Sequence, residues 1–218
     1  DGYYKILSNL FPSSYYDTVP IFRRVPNLFE IVTLEYWRKN YDYKLTESKL
    51  KWKEAFLNDP SGLKHVINVL NYKLRLSGKS EEEIDKVSME EKLLAGDAFF
   101  GGGHELIIAN KHYNDSAEWD TELFSSGSMT PEEHYWYFKF TIEAMKDIIE
   151  NNRYVRYISV FQNWLQPAGA SFDHLHKQLV ALDEWGSRTE MQIEELKKNP
   201  NAFNDFGANF AAMKNLLI

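Results

Sequence analysis

The segment from His174 to Leu182 constrains the fold most, because residues of two kinds alternate along it. Side chains two positions apart on a β-strand point to the same face of the sheet. A strand here therefore has a face that carries two imidazoles and an amide, while the strand as a whole is apolar enough to be buried. The residues of this face are His174, His176, Gln178 and Val180, and those of the other face are Leu175, Lys177, Leu179 and Ala181. A lone histidine is most often structural, but this polar row favours a functional site.

A loop of small residues, Pro167–Ser171, lies just before that strand. Glycine and alanine let a ligand approach the backbone closely, and exposed N–H groups can surround phosphate oxygens. The Ser171 hydroxyl and the Asn163 amide add side-chain donors. A glycine loop alone indicates only a turn. Beside the histidine row, it predicts a phosphate held next to an imidazole.

A neutral imidazole can attack phosphorus if its second ring nitrogen is held by an acceptor, which fixes the tautomer. Gln178 and Ser171 would then donate to the non-bridging oxygens. The alternative, two histidines that ligate a metal, requires further ligands such as His104, His112 or acidic residues. His104 follows three glycines at a predicted strand entrance, where both a site role and a structural role remain open.

The remaining pattern predicts one domain over residues 1–218, with a helical insertion at about 36–98. Predicted strands cover residues 21–35 (two short runs split by Pro26), 99–110, 154–161 and 174–182. Predicted helices outside the insertion cover residues 131–151, 186–198 and 203–217. This order predicts an α+β fold with a largely antiparallel sheet flanked by helices.

Composition narrows the classes of function. The chain has no cysteine, which excludes disulfides, thiolate catalysis and cysteine-ligated metal sites within it. A net charge of -7 with no dense basic block argues against nucleic-acid binding, and no apolar run approaches the ~20 residues that span a bilayer. The simplest location is the cytoplasm. Arg23 and Arg24 are candidate phosphate contacts, but neighbours on a strand face opposite ways, so one is expected in solvent.

Residues 163–178 read N-x-x-x-P-A-G-A-S-x-x-H-x-H-x-Q, which resembles the active-site signature of the galactose-1-phosphate uridylyltransferase family, a branch of the histidine-triad superfamily. Residues 103–108 (GHELII), with His112 after them, resemble the family's G-x-H-E-V-I-V strand. Residues 25–29 (VPNLF) resemble its early F-P-N-x-F segment. The resemblance covers roughly residues 8–35 and 99–185, and it does not extend to the helical insertion.

This resemblance implies a histidine-triad-like fold and a nucleotidyltransferase that acts on a nucleoside diphosphate sugar or a sugar 1-phosphate. His176 matches the nucleophile that carries the nucleotidyl group, and Gln178 matches the glutamine that binds the transferred phosphate. Matching phosphate-loop and nucleoside positions are Asn27, Asn163, Gly169, Ala170 and Ser171.

His112 and His174 match two zinc-ligand positions of zinc-containing members. The two cysteine partners would fall at Ser8 and Phe11, and a phenylalanine cannot ligate a metal. The resemblance therefore predicts that the structural zinc is lost and implies no certain cofactor. Without zinc, His112 and His174 are expected to serve in hydrogen bonding or packing, and His174 is expected to orient His176. Leu175 also replaces the proline of the family's H-P-H.

The family's enzymes have two similar halves, and this chain resembles only the first. We therefore expect that the sequence is the N-terminal half of a longer enzyme, that the second half is missing, or that it is a separate chain, and a homodimer is a candidate assembly. The expected partner is a nucleotide or nucleotide sugar, with no nucleic acid and no membrane. A hydrolase or phosphorylase of the same superfamily and a non-catalytic nucleotide-binding module remain alternatives, and the base and sugar stay open.

Overall fold

The computed structural model describes residues 18–19, 21–27, 30–170 and 172–215, with backbone alone at 18–19. In these residues one sheet has five strands in the order β1-β2-β3-β5-β4, and every pairing is antiparallel. The strands are β1 (Thr18–Val19), β2 (Phe22–Pro26), β3 (His104–Ala109), β4 (Tyr157–Phe161) and β5 (His176–Leu182). The predicted α+β class with an antiparallel sheet is confirmed.

Helices make up most of the rest. They are α1 (Leu34–Tyr41), α2 (Glu47–Asn58), α3 (Pro60–Leu76), α4 (Glu81–Lys86), α5 (Met89–Ala95), α6 (Asp97–Gly101), α7 (Pro131–Asn151), α8 (Ser187–Lys198) and α9 (Asn209–Met213). Short 3₁₀ turns lie at Ser126–Ser128 and Gln166–Ala168, and a π-helical turn lies at Asn204–Ala208. No helix of the described residues is long and apolar enough to cross a membrane.

Helix α7 has the bounds that its sequence predicts. The Thr130 side chain accepts from the Glu133 backbone N–H, while the Glu133 carboxylate accepts from the Thr130 N–H, which completes a capping box. Pro131 occupies the first turn, where its missing N–H costs nothing. The buried residues recur at helical spacing, and they are Tyr137, Phe140, Thr141, Ala144 and Ile148. This stripe fixes α7 against one face of the sheet.

Each face of the sheet has its own apolar core. On the first face, Ile107 and Leu179 pack against α7 and α1. On the second face, Leu106 and Ile108 pack against helices α2, α3 and α6. We call these the α7 face and the insertion face. Ile108 and His176 are paired directly across β3 and β5, so they share a face, and helices α2, α3 and α6 cover the side of the sheet that carries His176.

Several predicted element bounds are wrong. The second run of 21–35 forms no strand over residues 30–33, because Thr33 instead caps α1 by accepting from the Tyr36 N–H. Residues 97–101 are helical, since Phe99 and Phe100 are buried in the core of the insertion. Strand β5 begins at His176, two residues later than predicted, and β4 begins at Tyr157. The helix predicted over 203–217 is present over 203–213, through a π-turn and the short α9, but residues 214–215 form a turn.

Candidate functional site

His176 lies on the insertion face and is 2% exposed. Its Nδ1–H donates to the His174 carbonyl oxygen at 2.8 Å, which places the lone pair of the neutral ring on Nε2. No described residue forms a hydrogen bond with that Nε2. The ring of Phe172 stacks on the imidazole, with centroids 4.0 Å apart and planes at 23°. The ring is therefore fixed in orientation, and Nε2 is available as a nucleophile or acceptor.

Burial also sets the charge of this imidazole. Desolvation lowers the pKa of His176 from its ordinary value, and the smaller effect of the hydrogen bond to His174 raises it. The sum favours the neutral form at pH 7. Only the neutral ring carries the lone pair that attack on phosphorus requires.

Gln178 lies two residues along the same face, and its carboxamide is held at the oxygen end. Its Oε1 lies 3.1 Å from Nε2 of His104 and accepts from Nδ2 of Asn27 at 3.3 Å. No described residue accepts from the Gln178 amide nitrogen. The structure thus brings the predicted Asn27 and Gln178 together with His104, whose role the sequence left open.

The loop before β5 differs in detail from the predicted phosphate cradle. The N–H groups of Ala168 and Ala170 both donate to the Leu165 carbonyl at 3.1 Å, and the Gly169 N–H donates to Gln166 at 2.9 Å. These three amides are consequently turned into the loop and do not face a ligand. Gly169 has a φ of +85°, and a Cβ there would lie 3.6 Å from Nδ2 of Asn163.

The described donor beside this loop is therefore the Asn163 side chain. Ala170 is buried and acts as packing. Ser171, the other predicted phosphate donor, lies outside the described residues.

His174 approaches His176 through its backbone and not through its ring. Its imidazole Nε2 donates to the Ala109 carbonyl at 2.5 Å, and its ring centroid lies 4.7 Å from that of His112. Desolvation lowers the pKa of His174 to about 4, and it also lowers the pKa of His112. His174 therefore contacts His176 through its main-chain carbonyl oxygen, which accepts from the His176 Nδ1–H.

The paired imidazoles do not by themselves fit a structural zinc, which takes four ligands. Within the described residues, no group of three or more His, Asp or Glu side chains could hold a metal ion. Ser8 and Phe11, which match the family's cysteine positions, lie outside the described residues. The loss of zinc stays a prediction, and no chemical step is derived through a metal.

The two adjacent arginines face opposite sides of the sheet, as expected, but neither is placed freely in solvent. Arg24 is 2% exposed on the α7 face, where it pairs with both oxygens of Glu105 and, at 2.6 Å, with Asp147 of α7. Arg23 lies on the insertion face, in one cross-sheet row with Ile108 and His176. Its Nε donates to Oδ1 of Asn110 at 2.9 Å. The prediction of a solvent-facing arginine is wrong, because α7 supplies an acid above Arg24.

A family model described as a domain of unknown function, DUF4921, matches residues 1–218. The chain belongs to the DUF4921 family. No curated protein matches the sequence. The DUF4921 description assigns no activity to the family.

Proposed function

We propose that the protein is a nucleotidyltransferase that moves a nucleotidyl group between a nucleoside diphosphate sugar and a sugar 1-phosphate through a covalent adduct on His176. One observation carries the proposal. The Nδ1–H of His176 is held by the His174 carbonyl, which directs the Nε2 lone pair to the sheet face where Gln178 presents an amide. A fixed nucleophile beside a fixed donor suits attack on phosphorus.

The chemistry proceeds in two displacements. In the first, Nε2 of His176 forms a bond to the α-phosphorus, and the bond from that phosphorus to the bridging oxygen breaks, so the sugar 1-phosphate leaves with that oxygen. In the second, a phosphate oxygen of the acceptor sugar 1-phosphate attacks the same phosphorus, and the N–P bond breaks. The imidazole returns to its neutral form with the Nδ1–H bond to His174 kept throughout.

Gln178 and Asn163 would stabilise the charge on the non-bridging oxygens. Residues i and i+2 of a strand are about 6.6 Å apart along its axis, so a phosphate fits between the His176 and Gln178 side chains. Asn163 lies beside the glycine turn and two residues after Phe161, which pairs with Gln178 across β4 and β5. Donors held in advance at such positions supply most of the rate in phosphoryl chemistry.

Phosphorolysis and hydrolysis would use the same adduct, with inorganic phosphate or water as the acceptor. A transfer reaction is favoured over hydrolysis by the burial of His176 beneath Phe172 and the helical insertion, which excludes water. A non-catalytic nucleotide-binding module is the alternative, because the loop amides that could stabilise a transferring phosphate donate inward instead. We also propose a cytoplasmic location, where nucleotide sugars are the expected partners and where a chain without disulfides is the rule.

The test is covalent capture. The protein is incubated with UDP-glucose or ADP-glucose radiolabelled at the α-phosphate, and the product is analysed after denaturation. We expect a label that is stable in alkali and lost in acid, as for a phosphoramidate, and that disappears in His176→Asn. His134→Asn, a histidine substitution on the partly exposed surface of α7, serves as the control and should label normally.

A label that survives in His176→Asn would refute His176 as the nucleophile, and binding of nucleotide with no label would favour the binding module. A measurement of the second half-reaction identifies the acceptor. Labelled protein is diluted into buffer alone, into inorganic phosphate or into glucose 1-phosphate, and the fastest loss of label identifies the acceptor.

A further inference from the structure

His104 is 2% exposed at the start of β3, and its tautomer is set by the backbone. The Ile31 N–H donates to its Nδ1 at 3.0 Å, so Nδ1 carries no proton. The neutral ring must therefore carry its proton on Nε2. A second backbone bond, from the Asn27 N–H to the His104 carbonyl at 2.8 Å, fixes the two residues beside each other.

This tautomer determines which groups donate and which accept in the hydrogen bonds around Gln178. The His104 Nε2–H points to the Gln178 Oε1 at 3.1 Å, and the Asn27 amide nitrogen donates to the same oxygen at 3.3 Å. The distance of 2.9 Å between Asn27 Nδ2 and His104 Nε2 joins two donors, so it is not itself a hydrogen bond. Both donors converge on one acceptor, the Gln178 carboxamide oxygen.

A carboxamide held at its oxygen end presents its NH₂ group at the other end. If the Gln178 carboxamide turned over, its oxygen would face the phosphate and repel it, and the NH₂ group would face the two donors of His104 and Asn27. The buried imidazole of His104 makes the turned orientation costly, since two donors would lose their shared acceptor. The donor is thus oriented before any substrate binds.

We infer that His104 is a positioning residue, which fixes the Gln178 carboxamide so that its NH₂ group faces the reacting phosphate. The inference rests on the proposed function for its consequence in catalysis, but the orientation itself is a property of the free protein. His104 touches neither substrate nor His176 in this scheme and acts only through Gln178.

The orientation can be measured without a substrate. In ¹⁵N-labelled protein, long-range ring correlations should show the proton of His104 on Nε2, and the Gln178 side-chain NH₂ resonances should be dispersed. In His104→Leu, those NH₂ resonances should move toward the values of a freely rotating carboxamide. His65→Leu removes another buried histidine, from α3, and should leave them unchanged. Unchanged Gln178 resonances in His104→Leu, or a proton on Nδ1, would overturn the inference whether or not the protein labels.

A double-mutant cycle on the labelling rate separates positioning from a structural role. We expect Gln178→Leu to slow labelling of His176 by about 100-fold, the scale of losing one preorganised donor, and His104→Leu by roughly 10- to 100-fold. If His104 acts only through Gln178, the double variant should label at the rate of Gln178→Leu. Multiplicative losses in the double variant would overturn the inference, whereas a wild-type protein that never labels would refute the proposed function and leave the resonance measurement to decide the role of His104.

Discussion

Arg23 and Arg24 are adjacent in the chain, but their environments predict opposite consequences of substitution. Arg24 is enclosed by Glu105 and Asp147, so Arg24→Gln would leave a buried carboxylate without its charge partner. Breaking a buried pair costs about 3–5 kcal/mol of stability. Arg23 shares the cross-sheet row of His176, so Arg23→Gln should weaken binding of a nucleoside diphosphate by about tenfold, which is about 1.4 kcal/mol.

Two measurements on each variant check this pair. Urea unfolding should show a large decrease in the free energy of unfolding for Arg24→Gln and a small decrease for Arg23→Gln. Calorimetric titration with UDP and ADP should show weaker binding for Arg23→Gln, with binding by Arg24→Gln close to wild type at a temperature where it is folded. Equal affinities in wild type and Arg23→Gln would mean that the phosphates do not reach this row.

The positions of site residues were predictable where residues close in the chain determine which way a side chain points. The period of two along β5 places His176 and Gln178 on one face, and the structure has them there. The partner of Gln178 was not predictable, because His104 is 74 residues away and reaches it only through the pairing of β3 with β5. The inward loop amides were not predictable either, since they depend on backbone angles such as the φ of +64° at Leu165.

At the scale of elements, the turn that ends at Gly169 allows a direct test. Its φ of +85° lies in the left-handed region, where a Cβ costs about 1–2 kcal/mol, although no atom would clash with the new methyl group. We expect Gly169→Ala to lower the free energy of unfolding by about 1 kcal/mol. It should slow labelling of His176 more than that loss explains, because relaxation of the turn displaces Asn163.

Gly186→Ala provides the matched control for this turn. Gly186 precedes α8 with a φ of -68°, and no atom lies within 4 Å of the position that an alanine methyl group would take there. Denaturant unfolding and the labelling assay should both give values close to wild type for this variant. Normal labelling by Gly169→Ala would show that the turn does not position the phosphate.

Helices and strands were predicted correctly where the deciding residues lie within a few positions of the element. Helix α7 was predictable to its first residue because the capping box and Pro131 act within four residues. The strand expected after Asn27 was wrong because the Thr33 cap of α1 competes with a β-prone composition. The short π-turn at Asn204–Ala208 has no cap by a side chain that could have marked it in the sequence.

At the scale of the whole molecule, the sequence indicated a helical insertion but not the face that it covers. An apolar stripe such as Val66, Val69 and Leu70 requires a partner surface, yet both faces of the sheet offer one. Helix α7 covers the α7 face with its own apolar stripe, so only the insertion face remains for these residues. Helices α2, α3 and α6 then pack on the face of His176, and Phe172 joins their core to the imidazole.

This arrangement predicts that the two cores differ in function although they contribute alike to stability. Phe100 lies in the insertion core against Trp52, with ring centroids 4.7 Å apart, and Phe140 lies in the α7 core. Both are nearly inaccessible to solvent, so Phe→Ala at either position should lower the free energy of unfolding by about 3–5 kcal/mol.

Only Phe100→Ala loosens the layer that closes over His176, so it alone should slow labelling and raise the share of hydrolysis at a temperature where both variants are folded. Urea unfolding verifies the matched loss of stability, and equal labelling rates in the two variants would show that the insertion supports the fold without shaping the site.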